Sequence, residues 1–178
     1  GKSIDTSMGL TPLGGIPMVT RSGDLDPSVL TYLMKKEKLT AQEMEDILNK
    51  KSGVSGISGL APDFRVIENA SNEGNERAQI AISSFNYAIA GDAAKYAAEM
   101  DGLDYIVFTG GIGENQINIR KGICEKLKFM GVELDLEANN MRGEEKVIST
   151  PQSKIKIYVI PTNEELMIAR ETKRLTQK

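Results

Sequence analysis

Short strand-like runs alternating with longer helical patterns predict an α/β fold with a parallel sheet component. Two observations carry this. Asp104-Tyr105-Ile106-Val107-Phe108 is an apolar run that stops at glycines, as a buried parallel strand does, and Lys154 to Ile160 alternates in the manner of a second strand. Between and around them lie helical periodicities of about a dozen residues or more, the spacing a strand–helix–strand unit needs.

In chain order, Gly1-Lys2-Ser3 has the character of a hairpin turn feeding a strand over Ser3 to Ser7, whose natural partner would lie upstream. Gly9 to Gly23 is rich in Gly, Pro, Thr and Ser and reads as an irregular loop. Asp26-Pro27 opens a helix, with Asp as cap and Pro in the first turn, and Val29, Leu30, Leu33 and Met34 form its apolar stripe. Thr40-Ala41-Gln42-Glu43 is a capping box for a second helix, buried through Met44, Ile47 and Leu48. Ser52 to Gly59 reads as a second glycine-rich loop.

From about Glu76 to Met100 the pattern is helical and alanine-rich, with Gly91 as a weak point. After Phe108 and the glycines, a helix is expected from Asn118. Thr162-Asn163-Glu164-Glu165 has the form of a capping box for the last helix. No repeat, low-complexity tract or internal domain boundary is evident.

The totals narrow the chemistry. The 178 residues are 40% hydrophobic and 26% charged, ordinary for a globular chain, and no stretch approaches the ~18 apolar residues of a spanning helix. A cytoplasmic protein, with no membrane partner, is the expectation. With 22 Lys and Arg against 25 Asp and Glu, no general attraction to nucleic acid is expected, and an anionic ligand must be held by backbone amides and a few placed cations. Cys124, a lone thiol in a helical pattern, reads as packing. The chain has no histidine, which excludes Ser-His and Cys-His catalysis and His-ligated metals within it.

Four segments carry candidate chemistry. Thr109-Gly110-Gly111-Ile112-Gly113-Glu114-Asn115 follows a strand, and its glycines would let a ligand approach the backbone. It is neither a Walker loop nor a dinucleotide fingerprint, and a purely structural strand–helix turn also fits. In Thr20-Arg21-Ser22-Gly23-Asp24, Arg21 can clamp a transferring phosphoryl group or simply pair with Asp24 or Asp26. Asp63-Phe64-Arg65 can line a nucleotide pocket or serve as a helix cap with a core Phe. In Thr162-Asn163-Glu164-Glu165, Glu165 would complete the capping box and leave Glu164 free to hold a magnesium ion; two acids at a helix start are the plainer explanation.

Taken in order, six segments resemble the C-terminal half of the acetate kinases. They are Asp5 to Leu13, Thr20 to Asp24, Gly56-Ile57-Ser58-Gly59, Asp63-Phe64-Arg65, Phe108 to Asn115, and Ile160 to Leu166. The resemblance spans essentially the whole chain and implies a ribonuclease-H-like domain of the actin, sugar-kinase and Hsp70-like ATPase superfamily. On it, residues 1–178 form the C-terminal nucleotide-binding domain, without the N-terminal domain and without an upstream His-Leu-Gly-Asn-Gly phosphate loop.

The resemblance further implies reversible phosphorylation of acetate by ATP, with ATP/ADP and Mg²⁺ as cofactors. Arg21 then steadies the transferred phosphoryl group. Asp63, Phe64 and Arg65, with Gly111, Ile112, Gly113, Glu114 and Asn115, bind ATP. Glu164 associates with the metal, and Pro12 lines the pocket of the acetate methyl. A family histidine near the transition state would lie outside this chain. Gly14 stands where family members usually carry a glutamate, and Val19 where a glycine commonly precedes Thr20, which would restrict the Arg21 loop.

Three other assignments stay open: a propionate kinase, a non-catalytic nucleotide-binding or assembly module of the same fold, and an unrelated α/β domain with structural glycines. Acetate or another short carboxylate is the expected small partner. A homodimer is the expected assembly. The chain by itself is expected to be inactive.

Overall fold

A computed structural model describes residues 2–177, and the expected Gly1 end of the opening hairpin lies outside them. The chain comprises two compact units, residues 1–102 and 103–178, each taken in turn below.

The first unit is helical. Helix α1 (Pro27–Glu37) starts where Asp26 accepts the Ser28 amide and Pro27 fills the first turn. Its apolar stripe is not buried: Val29, Leu30, Leu33 and Met34 are all at least partly exposed, and α1 contributes nothing to the core. Helix α2 (Ala41–Lys50) opens with the full reciprocal capping box of Thr40 and Glu43, and buries Met44 and Leu48.

The segment read as a second glycine-rich loop is a short helix, α3 (Gly53–Ser58), with Val54 and Ser58 buried. Helix α4 (Phe64–Asn72) follows, capped by Asp63. Helix α5 (Glu76–Glu99) runs unbroken through Gly91. Fully buried Ala78 and Ala81 give α5 a narrow face on which α3 and α4 lie, and Phe64 packs its ring against Phe85 at 5.3 Å.

Residues 3–7 do not form the expected strand. A strand needs a neighbour to satisfy its backbone groups, and no described residue pairs with this segment.

The second unit holds the sheet. Strands β1 (Tyr105–Phe108), β2 (Lys146–Val147) and β3 (Lys156–Val159) lie in the order β1-β3-β2. The β1/β3 pair is parallel, with Tyr105 opposite Lys156 and Phe108 opposite Val159, and β2 is antiparallel to β3. The crossover between the parallel strands contains α6 (Gly110–Asn115), α7 (Ile117–Lys126) and α8 (Leu136–Asn139). Helix α9 (Glu164–Thr176) closes the chain, with every described residue exposed.

One face of the sheet makes the core. Phe108, Ile157 and Val159 pack with Ile119, Ile123, Cys124, Leu127 and Ile148, all buried. The apolar run at β1 is therefore buried on one side only: Tyr105 and Val107 project outward, where Tyr105 meets Tyr158 ring to ring at 5.8 Å. Cys124 is indeed core packing, and burial pushes its thiol up to about 12.

Gly91 is exposed, lies in regular helix, and has no atom within 4 Å of where a Cβ would sit. Gly91→Ala should therefore stabilise the chain by about 0.5–1 kcal/mol, read as a higher urea midpoint with an unchanged slope. A lowered midpoint would mean that this helix face needs the glycine for contact.

Candidate functional site

In the first unit the site begins with how the Arg21 loop is held. Ser22 N–H donates to Leu48 O and Ser52 N–H to Thr20 O, both at 2.9 Å, and the Thr20 hydroxyl donates to Asn49 O at 2.9 Å. From the start of α3, the amides of Val54 and Ser55 donate to Met18 O and Val19 O, each at 2.9 Å. Gly53 makes this docking possible: its φ is +63°, and a Cβ there would collide with Met18 O and sit 2.7 Å from Arg21 O. A loop with so many backbone bonds to helices is a rigid mount for its side chains. Val19 imposes no strain on it, since among the described residues the only non-glycine positions with positive φ are Lys38 and Asp101. Gly14 has ordinary room for a Cβ, with Ser7 O at 3.5 Å.

Arg21 itself forms no ion pair among the described residues. Its guanidinium makes one weak contact, Nη1 to Met18 Sδ at 3.7 Å. The two acids that could have neutralised it are engaged elsewhere, Asp24 accepting the Gly15 amide at 2.7 Å and Asp26 capping α1. The guanidinium remains available to an anion.

At the far end of α3, Asp63 caps α4 through the Arg65 amide and takes a two-pronged ion pair from the Arg65 side chain at 2.8 and 3.2 Å. The Arg65 side-chain hydrogen bonds, with the Arg65 amide, hold the Asp63 carboxyl below its ordinary range. Phe64 points the other way, into the core at 6% exposure, so its ring is not presented to a ligand. Pro12 lies exposed in the Gly9–Gly23 loop.

The second unit places the glycine segment where the sequence put it but shapes it differently. Thr109 is extended, and Gly110 to Asn115 form a short helix, with Gly110 at φ +70°. The Asn115 side chain returns to Gly111 O at 2.9 Å. Of the three glycines, Gly113 is the closely packed one, because a Cβ would lie 3.2 Å from the Phe108 backbone; at Gly111 φ is ordinary and nothing lies within 4 Å.

The expected capping box at Thr162 is shifted. Asn163 is the cap, its side chain accepting the Leu166 amide at 3.0 Å. Thr162 is drawn away by Glu114: its N–H and its hydroxyl both donate to one Glu114 carboxylate oxygen, at 2.8 and 3.0 Å. This clamp ties the segment after β1 to the segment after β3 and so joins the glycine turn to the start of α9, where Glu164 stands exposed. Among the described residues no three acidic, His or Cys side chains converge on a common metal position.

Sequence reasoning missed one buried group. Arg120 on α7 has no exposed surface. Its guanidinium donates to Gly113 O (2.9 Å), Glu114 O (3.0 Å), Asn139 O (2.8 Å) and Met141 O (2.8 Å), and to the Asn139 side-chain oxygen (2.7 Å). The signal was present in the pattern: Arg120 falls in the buried stripe of Ile119, Ile123, Cys124 and Leu127, where a charge is out of place.

The same fold recurs in solved structures of an acetate kinase and a propionate kinase. The chain superposes on the crystal structure of Porphyromonas gingivalis acetate kinase with a TM-score of 0.93 at 49% identity, covering 99% of this chain and 45% of that one. It superposes on a propionate kinase from Francisella tularensis with a TM-score of 0.89 at 45% identity, covering 96% and 43%. The chain belongs to the acetokinase family, whose model matches residues 1–170. It is 56% identical to the acetate kinase of Treponema denticola over 177 residues, and it spans 45% of that relative's length.

The Glu114–Thr162 clamp has a pH signature. The Thr162 amide above all, then its hydroxyl, lowers the Glu114 pKa from its ordinary 4.5, with partial burial opposing. A carboxyl whose folded pKa is depressed contributes stability that is full above its unfolded value, near 4.5, and lost as pH falls through the folded value. Thr162→Ala removes the hydroxyl and keeps the amide, so the Glu114 titration, followed by carboxyl NMR, should rise part of the way back. An unmoved titration would show that the hydroxyl takes no part in the clamp.

Proposed function

We infer that this chain is the ATP-binding part of an acetate kinase, catalysing with an upstream portion the reversible transfer of the ATP γ-phosphoryl group to acetate. The observation that carries it is the place of Gly111, which, unlike the equally unconstrained Gly91, follows a parallel strand at the carboxyl edge of the sheet, where α/β folds gather ligands. Glycine inside a helix is about 1 kcal/mol worse than alanine, and here neither backbone angle nor neighbouring atoms require it. What it preserves is space outside the chain, as a backbone approached by a ligand needs. In this reading Gly111 to Asn115 of the second unit are ATP-binding positions, as are Asp63 and Arg65 in the first, and Pro12 lines the carboxylate pocket.

Acetate is already ionised at neutral pH, so no general base is required to create the nucleophile, and the lack of histidine is no obstacle. Arg21 supplies an unpaired guanidinium on a rigid loop, suited to charge that builds on the transferring phosphoryl oxygens. Mg²⁺ commonly binds through one or two carboxylates together with phosphates and waters, so the single exposed Glu164 fits it. When bound, the metal would neutralise phosphate charge. A propionate preference is the second reading, favoured by the solved propionate kinase, and one methylene changes discrimination by only about 1–3 kcal/mol.

A homodimer and a cytoplasmic setting belong to the same proposal. The open edge of β1 is a backbone surface that another strand can cover, and no helix among the described residues is long and apolar enough to cross a membrane.

The test is a chimera in which this chain replaces the matching portion of the Treponema denticola relative. With Mg-ATP and acetate it should form acetyl phosphate, trapped as hydroxamate, while the 178-residue chain alone should not. Arg21→Ala in the chimera should lower turnover at least about a hundredfold. A silent chimera, or one indifferent to Arg21, would refute the assignment.

Gly111→Ala should separate stability from binding: the chain unfolds at higher urea, and Mg-ATP binds the chimera more weakly. Equal affinity in both would take Gly111 out of the site.

A further inference from the structure

We propose that Arg120 is the positioning residue of the glycine turn, a buried cation that fixes the backbone of Gly113 and Glu114 so that the turn keeps one shape toward its ligand. The proposal rests on the nucleotide-binding reading of that turn.

The geometry is specific. Arg120 is wholly buried, and no carboxylate among the described residues pairs with it. Its hydrogen bonds go instead to carbonyls at the end of α6, at the end of α8 and at Met141, with the Asn139 side chain as the remaining acceptor. Carbonyls in the last turn of a helix have no intrahelical partner, and Gly113 O and Glu114 O are such groups. Arg120 therefore does for α6 what a C-cap would do, from another helix.

Asn139 is fixed in turn, since its side-chain nitrogen donates to Ile117 O at 3.1 Å and the residue is 1% exposed. Glu114 is gripped at both ends, its carbonyl by Arg120 and by the Gly143 amide at 3.2 Å, its carboxylate by Thr162. A planar fork can reach three segments at once; an ammonium, with donors on a single nitrogen, cannot.

The inference is tested with Arg120→Lys and Arg120→Met in two readouts. Hydrogen exchange of the nucleotide-free chain follows residues 109–116 against β1 and β3, and steady-state kinetics of the chimera gives KM for Mg-ATP and kcat. Arg120→Lys should melt cooperatively, exchange about tenfold faster in 109–116 with β1 and β3 still protected, and raise KM about tenfold with a smaller fall in kcat.

Arg120→Met strips a donor from five acceptors, of which Glu114 O keeps the Gly143 amide and Asn139 O the Met141 amide, and should fail to fold or should loosen the turn further; a stable Met variant with a protected turn overturns the proposal. Protection lost evenly across the second unit overturns it too, since Arg120 would then be only a core residue. So does a raised KM with a fully protected turn. Local loosening with unchanged KM and kcat leaves the anchoring standing and removes the nucleotide from the turn.

Discussion

A guanidinium taken out of water must have its donors met, because an unsatisfied buried charge costs several kcal/mol. Arg120 meets that constraint without an acidic partner, and so it collects backbone carbonyls from the ends of α6 and α8 and from Met141. Burial pushes its pKa below the ordinary arginine value, yet arginine remains charged at any relevant pH. The loops of the second unit thus depend on one side chain. The residues that follow β1 take their shape from Arg120 below and from Glu114 reaching to Thr162, which follows β3. Those two segments leave the carboxyl ends of a parallel strand pair, the edge at which α/β folds gather ligands.

That arrangement answers a difficulty posed by α6. Half of its six residues are glycine, so its own helical propensity is poor and a segment of this length would not hold together in isolation. The anchoring comes from outside: Arg120 at the carbonyls, Glu114 to Thr162, and close packing of Gly113 on Phe108. Stability supplied by neighbours leaves the outward backbone at Gly110 and Gly111 bare. A side-chain-rich helix would be more stable by itself and would close off the backbone that a ligand has to approach.

Much of the fold was legible because it is written in local signals. Asp26, Thr40 and the alanine-rich run to Glu99 announce α1, α2 and α5, and the apolar run and the alternating run announce β1 and β3. The glycine turn, Arg21 and the Asp63 cap were also visible as candidates. What was not legible depends on distant partners. Composition gave Ser52 to Gly59 as a loop, but Gly53 meets the Met18–Arg21 backbone and α3 forms against it. Thr162 carries every local mark of a cap, and Glu114, remote in sequence, takes its donors instead. The stripe on α1 has the right period, yet its neighbour α2 covers it only in part, because periodicity states which face is apolar and not what covers it.

The first unit shows the same logic applied to a cation that is kept free. Arg21 has two acids within a few residues, and pairing with either would have been the simplest outcome. Each acid is occupied by a backbone amide, Asp24 by Gly15 and Asp26 by Ser28, and those amides belong to turns that set the path of the chain. Moving either carboxylate to Arg21 would forfeit a cap or a loop closure for an exposed ion pair worth about 1 kcal/mol or less. The local acids thus shape the mount and leave its charge unspent. In a chain without histidine, a held guanidinium with no ion-pair partner among the described residues is the group best able to answer charge arriving on a ligand.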